Sequence, residues 1–139
     1  MPREVSAGAI VFRTTKNGPH YLLLHHTEGH WDFPKGNMEK GEEEKDTVRR
    51  EIEEETGIKR IRFIDGFRET IKYSYKSKGE KIFKVVVFYL VRSSQKNVKI
   101  SYEHKGFAWL QYDDALARVT FKNSKGVLSK CRKFLNDSH

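Results

Sequence analysis

Three glutamates, Glu51, Glu54 and Glu55, lie close together in a chain of 139 residues. Offsets of three and four residues place them on one face of a helix, about one turn apart. Carboxylates at that spacing repel each other and weaken an ordinary helix. A hard divalent cation such as Mg2+ or Mn2+ binds carboxylate oxygens and would remove the repulsion. The spacing therefore predicts a metal site, whereas the simpler alternative is a solvated acidic face.

The helix that carries these glutamates follows a loop with two glycines. The segment from Gly36 to Ile58 reads GNMEKGEEEKDTVRREIEEETGI, and residues 42–56 contain neither Gly nor Pro. Most of these residues favour helix. We therefore predict a helix from Glu42 to Thr56.

The same segment matches the spaced pattern G-x5-E-x7-R-E-U-x-E-E-x-G-U, in which U is a bulky aliphatic residue. The matching residues are Gly36, Glu42, Arg50, Glu51, Ile52, Glu54, Glu55, Gly57 and Ile58. This pattern is the signature of the Nudix hydrolases, and the segment resembles a complete copy of it. The resemblance implies an α/β (α+β) fold, with a mixed β-sheet sandwiched between α-helices.

The resemblance also implies a set of metal ligands. Glu51, Glu54 and Glu55 match the metal-binding glutamates of the family, one of which is also a candidate general base. The carbonyl of Gly36 matches the backbone ligand. Glu103 is a further candidate metal ligand or base, because many members of the family supply such a residue from a later loop.

Three other residues of the pattern have orienting or structural roles in the family. Arg50 and Glu42 match a pair that holds the loop against the helix, and Gly57 closes the pattern. A bidentate contact from Arg fixes the direction of a carboxylate, which gives Arg50 a part in catalysis.

These residues together predict hydrolysis of a diphosphate linkage. A bound cation can neutralise phosphate charge and lower the pKa of a water molecule, and a carboxylate can accept the proton. The net charge of +8 favours a polyanionic ligand. Covalent catalysis is not expected, because the one cysteine, Cys131, lies in an apolar helical stripe.

Segments outside the pattern narrow the substrate. The WDFPKG loop, the EHKGFAWL segment and the chain length resemble the asymmetric diadenosine tetraphosphate hydrolases of the family, which release ATP and AMP. This resemblance implies that basic side chains bind the polyphosphate and that two aromatic rings stack on adenine. The residues concerned are His30, Lys35 and Lys81 for the polyphosphate, and Tyr75 and Phe121 for the base. Core packing is the alternative role of the two aromatic residues.

Other functions stay open at this point. The W-x-F-P-K-G loop also resembles that of mRNA-decapping enzymes and RNA 5′-end pyrophosphohydrolases, and a lysine-rich hairpin tip would suit RNA. Hydrolysis of 8-oxo-dGTP or of a diphosphoinositol polyphosphate is a further alternative. A module that only binds nucleotides is the non-enzyme alternative, but such modules typically lose a glutamate of the pattern and none is lost here.

The rest of the chain predicts one domain, residues 1–139. A single cysteine excludes an intrachain disulfide, and no secretory or transmembrane segment is visible. We therefore expect a monomer in the cytoplasm without a membrane partner. Apolar and β-branched patterns predict strands at 5–12, 21–24, 61–67, 69–75, 81–91 and at the end of 101–110, and helices at 112–118 and within 120–135.

Overall fold

One sheet and three helices make up the fold of the computed structural model, which describes residues 2–138. The described elements are, in chain order, β1 (Arg3–Thr15), β2 (Gly18–His26), β3 (Trp31–Asp32), β4 (Lys35–Asn37), α1 (Glu44–Thr56), β5 (Arg62–Ser77), β6 (Glu80–Arg92), β7 (His104–Leu110), α2 (Tyr112–Arg118) and α3 (Lys122–Ser138).

The sheet is mixed, as predicted. Its strand order is β3-β2-β1-β6-β5, with β4 beside β1 and β7 beside β2. Strand β1 runs parallel to β6 and antiparallel to β2 and β4. The central strand β1 therefore has β2 and β4 on one side and the long β5–β6 hairpin on the other.

Helices cover both faces of the sheet, because successive side chains of β1 point to opposite sides. Ile10 packs into a core that includes Leu128 of α3. Val11 packs into a second core that includes Ile52 of α1. All four side chains are fully buried, so the predicted sandwich is confirmed.

Strand β5 differs from its prediction. The sequence indicates two strands, at 61–67 and 69–75, but the structure has one continuous strand with a bulge between Phe63 and Arg68. Gly66, inside the bulge, has φ of +96°, a conformation that glycine adopts at little cost. The hairpin turn falls at Lys78 and Gly79, as predicted.

The WDFPKG loop contains the short strand β3 and leads into β4. Strand β4 pairs with the small residues of β1, so that Gly36 lies opposite Ala7. A Cβ atom on Gly8 would lie 2.3 Å from the carbonyl oxygen of Pro34. The nearby amide of Ala9 donates to that carbonyl over 3.1 Å. The small side chains of β1 thus let the WDFPKG loop lie directly on the sheet.

We expect Gly8→Ala to destabilise the protein by about 1–3 kcal/mol, because the new methyl group meets backbone atoms rather than a movable side chain. Urea unfolding measures the change. Gly126→Ala is the matched control, because Gly126 lies in α3 with open space around it and Ala is the better helix former. Equal stability of the two variants would contradict this account of the β1–β4 contact.

Candidate active site

Helix α1 holds the acidic cluster and has well-defined ends. It begins at Glu44 rather than at the predicted Glu42, and the amide of Glu43 donates to Asp46 Oδ2 over 3.0 Å. It ends at Thr56, where Gly57 adopts φ of +73° and its amide donates to Glu53 O over 2.8 Å. Gly57 therefore terminates the helix in the left-handed conformation that favours glycine.

Glu42 lies just before the helix, where its carboxylate binds both the preceding loop and the first turns of α1. Its Oε1 accepts hydrogen bonds from the amide of Glu39 and the hydroxyl of Thr47, each over 2.8 Å. Arg50 completes a bidentate contact, with Nε to Oε2 at 2.7 Å and Nη2 to Oε1 at 3.0 Å. These contacts lower the pKa of Glu42 to about 2, and the hydrogen bonds from Arg50 have the largest effect. The pair predicted to hold the loop is therefore in contact.

Arg50 also contacts the carboxylates of its own helix. Its Nη1 donates to Glu51 Oε1 over 2.7 Å and lies 3.3 Å from both carboxylate oxygens of Glu54. Its Nη2 donates to the carbonyl of Asn37 over 2.9 Å. One guanidinium thus links the loop that contains Gly36 to the acidic face of α1.

Glu51 is buried and Glu55 is partly buried, and their carboxyl groups lie side by side. Burial raises the pKa of Glu51, although Arg50 acts in the opposite direction. Burial, and then the charge of Glu51, raise the pKa of Glu55 to about 9. The amide of Lys35 donates to Glu55 Oε1 over 3.3 Å. When both groups are ionised, the two carboxylates repel each other, which favours a proton on one of them.

Gly36 lies against Glu51. A Cβ atom at this position would be 2.1 Å from Glu51 Oε2, so only glycine allows the backbone this close to the carboxylate. The predicted ligands Gly36, Glu51, Glu54 and Glu55 provide only oxygen donors, which suit a hard divalent cation. Within residues 2–138, no three acidic, histidine or cysteine side chains already converge on one point. The chemistry of these donors fits the cation, although their side chains do not converge and Arg50 pairs with Glu51 and Glu54.

Glu103 lies across a cleft from α1. The cleft has a volume of about 620 Å3, and its walls include Gly36, Glu51, Glu54, Glu55 and Glu103. The negative charge of Glu103 also contributes to the raised pKa of Glu55. The structure thus brings the candidate from the later loop to the same cleft as the glutamates of α1.

A smaller polar cavity of about 130 Å3 adjoins this cleft. His30, Lys35, Glu55 and Glu103 contribute to its walls, together with His26 and others. The rings of His30 and His26 stack with centroids 4.4 Å apart, and burial and His26 lower the pKa of His30. Two predicted phosphate-binding residues, His30 and Lys35, therefore lie beside the carboxylates.

An apolar cavity of about 330 Å3 lies on the other side of Lys35. Its walls include Ile71, Tyr73 and Phe121. The predicted partner of Phe121 was Tyr75, but the hydroxyl of Tyr75 donates to Glu4 instead. Residues two apart on a strand are almost 7 Å apart. Tyr75 therefore lies farther toward the hairpin turn, and Tyr73 is the tyrosine of β5 that lines this cavity.

Lys81 also lies apart from the predicted phosphate contacts. It is opposite Lys76 near the hairpin turn and lines none of these three cavities. The lysine opposite Tyr73 in the ladder is Lys84, whose Nζ donates to Asn37 Oδ1 over 2.8 Å. Counting outward from the two-residue turn would have given this register from the sequence.

Sequence reasoning missed the residues that dock α3 on the WDFPKG loop. Asp32 Oδ1 accepts hydrogen bonds from the hydroxyl of Ser124 over 3.0 Å and from the amide of Phe33 over 2.8 Å. Trp31 and Thr120 exchange two further hydrogen bonds of 2.8 and 3.0 Å. Phe121, between these contacts, is thereby held over the loop that contains Lys35.

Comparisons with known proteins agree with this geometry. The model of the NUDIX domain matches residues 2–130, and the chain therefore belongs to the Nudix hydrolase family, whose members generally use divalent metal ions.

Several similar proteins within the family have named enzymatic activities. The bis(5′-nucleosyl)-tetraphosphatase (asymmetrical) of Mus musculus is 36% identical over 83% of this chain and 80% of its own length. The enzyme of the same name from Sus scrofa is 34% identical over 94% of each chain. The structure of a C. elegans Ap4A hydrolase binary complex superimposes with a TM-score of 0.85, at 27% identity, over 96% of this chain and 98% of that one.

We expect Glu55→Gln to stabilise the metal-free protein by about 1 kcal/mol or more at pH 9. The pKa of Glu55 is raised to about 9 in the folded protein, far above its value of about 4.3 in an unfolded chain. The folded state therefore keeps a proton that the unfolded state loses, and stability falls as the pH rises between these values. The glutamine variant lacks this penalty, so its advantage should grow from pH 6 to pH 9.

Thermal unfolding in EDTA across this pH range measures the difference. Glu53→Gln is the control, because Glu53 is an exposed residue of the same helix. A divalent cation should stabilise the wild type more than Glu55→Gln. An advantage of Glu55→Gln that does not change with pH would contradict the raised pKa.

Proposed function

We propose that this protein hydrolyses nucleoside polyphosphates, and diadenosine tetraphosphate in particular, to ATP and AMP. The observation that carries the proposal is the position of Lys35, which lines the apolar cavity, the polar cavity and the carboxylate cleft. A base, a phosphate chain and a reacting phosphate can thus occupy adjoining spaces in that order. The relatives named as tetraphosphatases support the same substrate.

The apolar cavity is the proposed site of one adenine. Tyr73 and Phe121 line it, and Phe121 is also partly exposed. Stacking of a base on an aromatic ring contributes about 1–3 kcal/mol and tolerates different bases. This proposal replaces Tyr75 with Tyr73 in the predicted aromatic pair.

The polar cavity is the proposed site of the phosphate chain. Lys35 and His30 supply donors there, and the His30 ring lies 5.2 Å from the ring of Phe121, centroid to centroid. A phosphate chain that leaves the base cavity would therefore meet His30 and Lys35 before it reaches Glu55 and Glu103.

The carboxylate cleft is the proposed site of the reaction. Glu51, Glu54, Glu55 and the carbonyl of Gly36 would hold Mg2+ or Mn2+, which supplies charge neutralisation and a water molecule of lowered pKa. A carboxylate of the cleft takes the proton of the attacking water, with Glu103 as a candidate outside the helix. The water oxygen forms a bond to phosphorus, the bridging P–O bond breaks, and the leaving phosphate departs with the electron pair.

No covalent intermediate is part of this proposal. Burial raises the pKa of the Cys131 thiol to about 12, and this residue lies in the core rather than in the cleft.

Within residues 2–138, no helix combines the length and the apolar character that crossing a membrane requires. The cytoplasmic location and the monomeric state stay predictions from the sequence.

We expect ion-exchange analysis with Mg2+ or Mn2+ to show conversion of diadenosine tetraphosphate into ATP and AMP. The same assay should contain 8-oxo-dGTP, a diphosphoinositol polyphosphate and a 5′-triphosphate RNA at equal concentrations. Glu54→Gln should lower turnover by about 100-fold or more while the circular dichroism spectrum stays unchanged, because it removes a ligand charge. Glu53→Gln, on the same helix, is the matched control.

Diphosphate release from RNA with little dinucleotide cleavage would make the RNA alternative correct. Turnover of none of the four compounds would favour a module that only binds nucleotides. Near-normal activity of Glu54→Gln would contradict the assignment of the metal ligands.

We also expect Tyr73→Leu to raise KM for diadenosine tetraphosphate by about tenfold or more, because it removes one stacking surface. Tyr75→Leu is the matched comparison, since Tyr75 shares the face of β5 but binds Glu4. Steady-state kinetics should leave KM of the second variant within about twofold of the wild type. The reverse ranking would restore the pairing of Tyr75 with Phe121.

A further inference from the structure

A second charged surface lies apart from the proposed active site. An open groove of about 580 Å3 runs between the segment after α1 and the end of β6. Its lining residues are Lys59, Arg60, Ile61, Arg62, Arg92, Ser93 and Ser94. None of them lines the base cavity, the polar cavity or the carboxylate cleft. We call this surface the basic groove.

The cations of the basic groove have no intramolecular partner. Within residues 2–138, the side chains of Lys59, Arg60, Arg62 and Arg92 make neither a hydrogen bond nor an ion pair. Residues 57–64 and 91–101 contain no acidic residue at all. In contrast, Arg68 on the same strand as Arg62 is paired with a glutamate. The groove therefore has a positive charge that the fold does not neutralise.

Two of these cations face each other directly. Arg62 and Arg92 are cross-strand partners in the β5–β6 ladder. Like charges at opposing positions of a ladder destabilise the sheet. A phosphate group between them would remove the repulsion, because a guanidinium donates two parallel hydrogen bonds to phosphate oxygens.

Hydrogen bonds hold the two walls of the groove together. The hydroxyl of Ser93 donates to the carbonyl of Arg60 over 2.7 Å. Gln95 donates to the carbonyl of Gly57 and accepts from the amide of Lys59, each over 3.3 Å. The backbone that presents the cations is therefore fixed before a ligand binds.

The positive charge continues from the groove toward the catalytic cleft. Lys96 and Lys99 are exposed in the loop that follows β6. This loop leads to Tyr102, which is 91% exposed and lines the carboxylate cleft. Exposed cations along a segment that leads to an exposed aromatic ring suit an extended phosphate backbone with unpaired bases.

We propose that the basic groove binds the phosphate backbone of a single-stranded nucleic acid. The basic groove is separate from the proposed site of hydrolysis, because none of its lining residues lines the carboxylate cleft, and Tyr102 is the one residue of the proposed binding surface that does. An open groove with cations that extend along a loop favours a chain of phosphates over one compact phosphorylated ligand.

Fluorescence anisotropy tests the proposal with the full chain and a 3′-labelled RNA of about twelve nucleotides, a length within known single-strand site sizes. The RNA has a 5′-hydroxyl group, so it offers no diphosphate to the cleft. The test variant is Arg62→Glu with Arg92→Glu. The matched control is Lys72→Glu with Lys76→Glu, which changes the net charge equally on exposed residues near the hairpin turn of the same sheet.

We expect the Kd of the groove variant to rise about tenfold or more. The slope of log K against log salt should become shallower by about 1.4, since each lost contact to a single strand contributes about 0.7. The hairpin variant should stay within about twofold of the wild type. Hydrolysis of diadenosine tetraphosphate by the groove variant should equal that of the wild type, which also shows that the variant is folded.

Equal losses in both variants would overturn the proposal, because they would show an effect of net charge alone. A larger loss in the hairpin variant, or no binding of RNA by the wild type at 50 mM salt, would also overturn it. Binding of inorganic polyphosphate without binding of RNA would overturn the assignment to a nucleic acid. If the wild type binds RNA in the groove but does not cleave diadenosine tetraphosphate, only the proposed function fails.

Discussion

The site depends on one guanidinium. Arg50 forms a fork with Glu42, donates to Glu51, lies beside Glu54 and reaches the carbonyl of Asn37. Three like charges on one helical face would otherwise repel each other. Arg50 offsets part of that repulsion and at the same time fixes the loop that contains Gly36. The helix and the loop therefore keep their relative position.

The sheet gives this arrangement a rigid base. Its central strand buries larger side chains on one face and small ones, Ala7 and Ala9, against the side of α1. The absence of a side chain on Gly8 allows Pro34 to approach the strand, and the absence of one on Gly36 allows Glu51 to approach the loop. These two glycines thus allow the loop to lie close to both β1 and α1.

The sequence was sufficient for the parts of the site that are local in the chain. The spacing of Glu51, Glu54 and Glu55 and the helix end at Gly57 follow from helical geometry, and the structure agrees with both. Tyr75 and Lys81 line none of the three cavities, because a shift of two residues along a strand moves a side chain by almost 7 Å, and their part in substrate binding stays a prediction. The hydrogen bond between Asp32 and Ser124 joins residues 92 positions apart, so no local pattern could reveal it.

The candidate site has two ends, and they differ in how far apart in the chain their contacting residues are. The carboxylate end forms largely from residues 36–55, which are neighbours in the chain. The base end requires Phe121, which the contacts of Trp31 with Thr120 and of Asp32 with Ser124 hold over the loop. Closing a chain segment of this length costs entropy before the contact repays it. Phe121 therefore lines this cavity only when the last helix is packed on the sheet, whereas Tyr73 is held there by the β5–β6 hairpin.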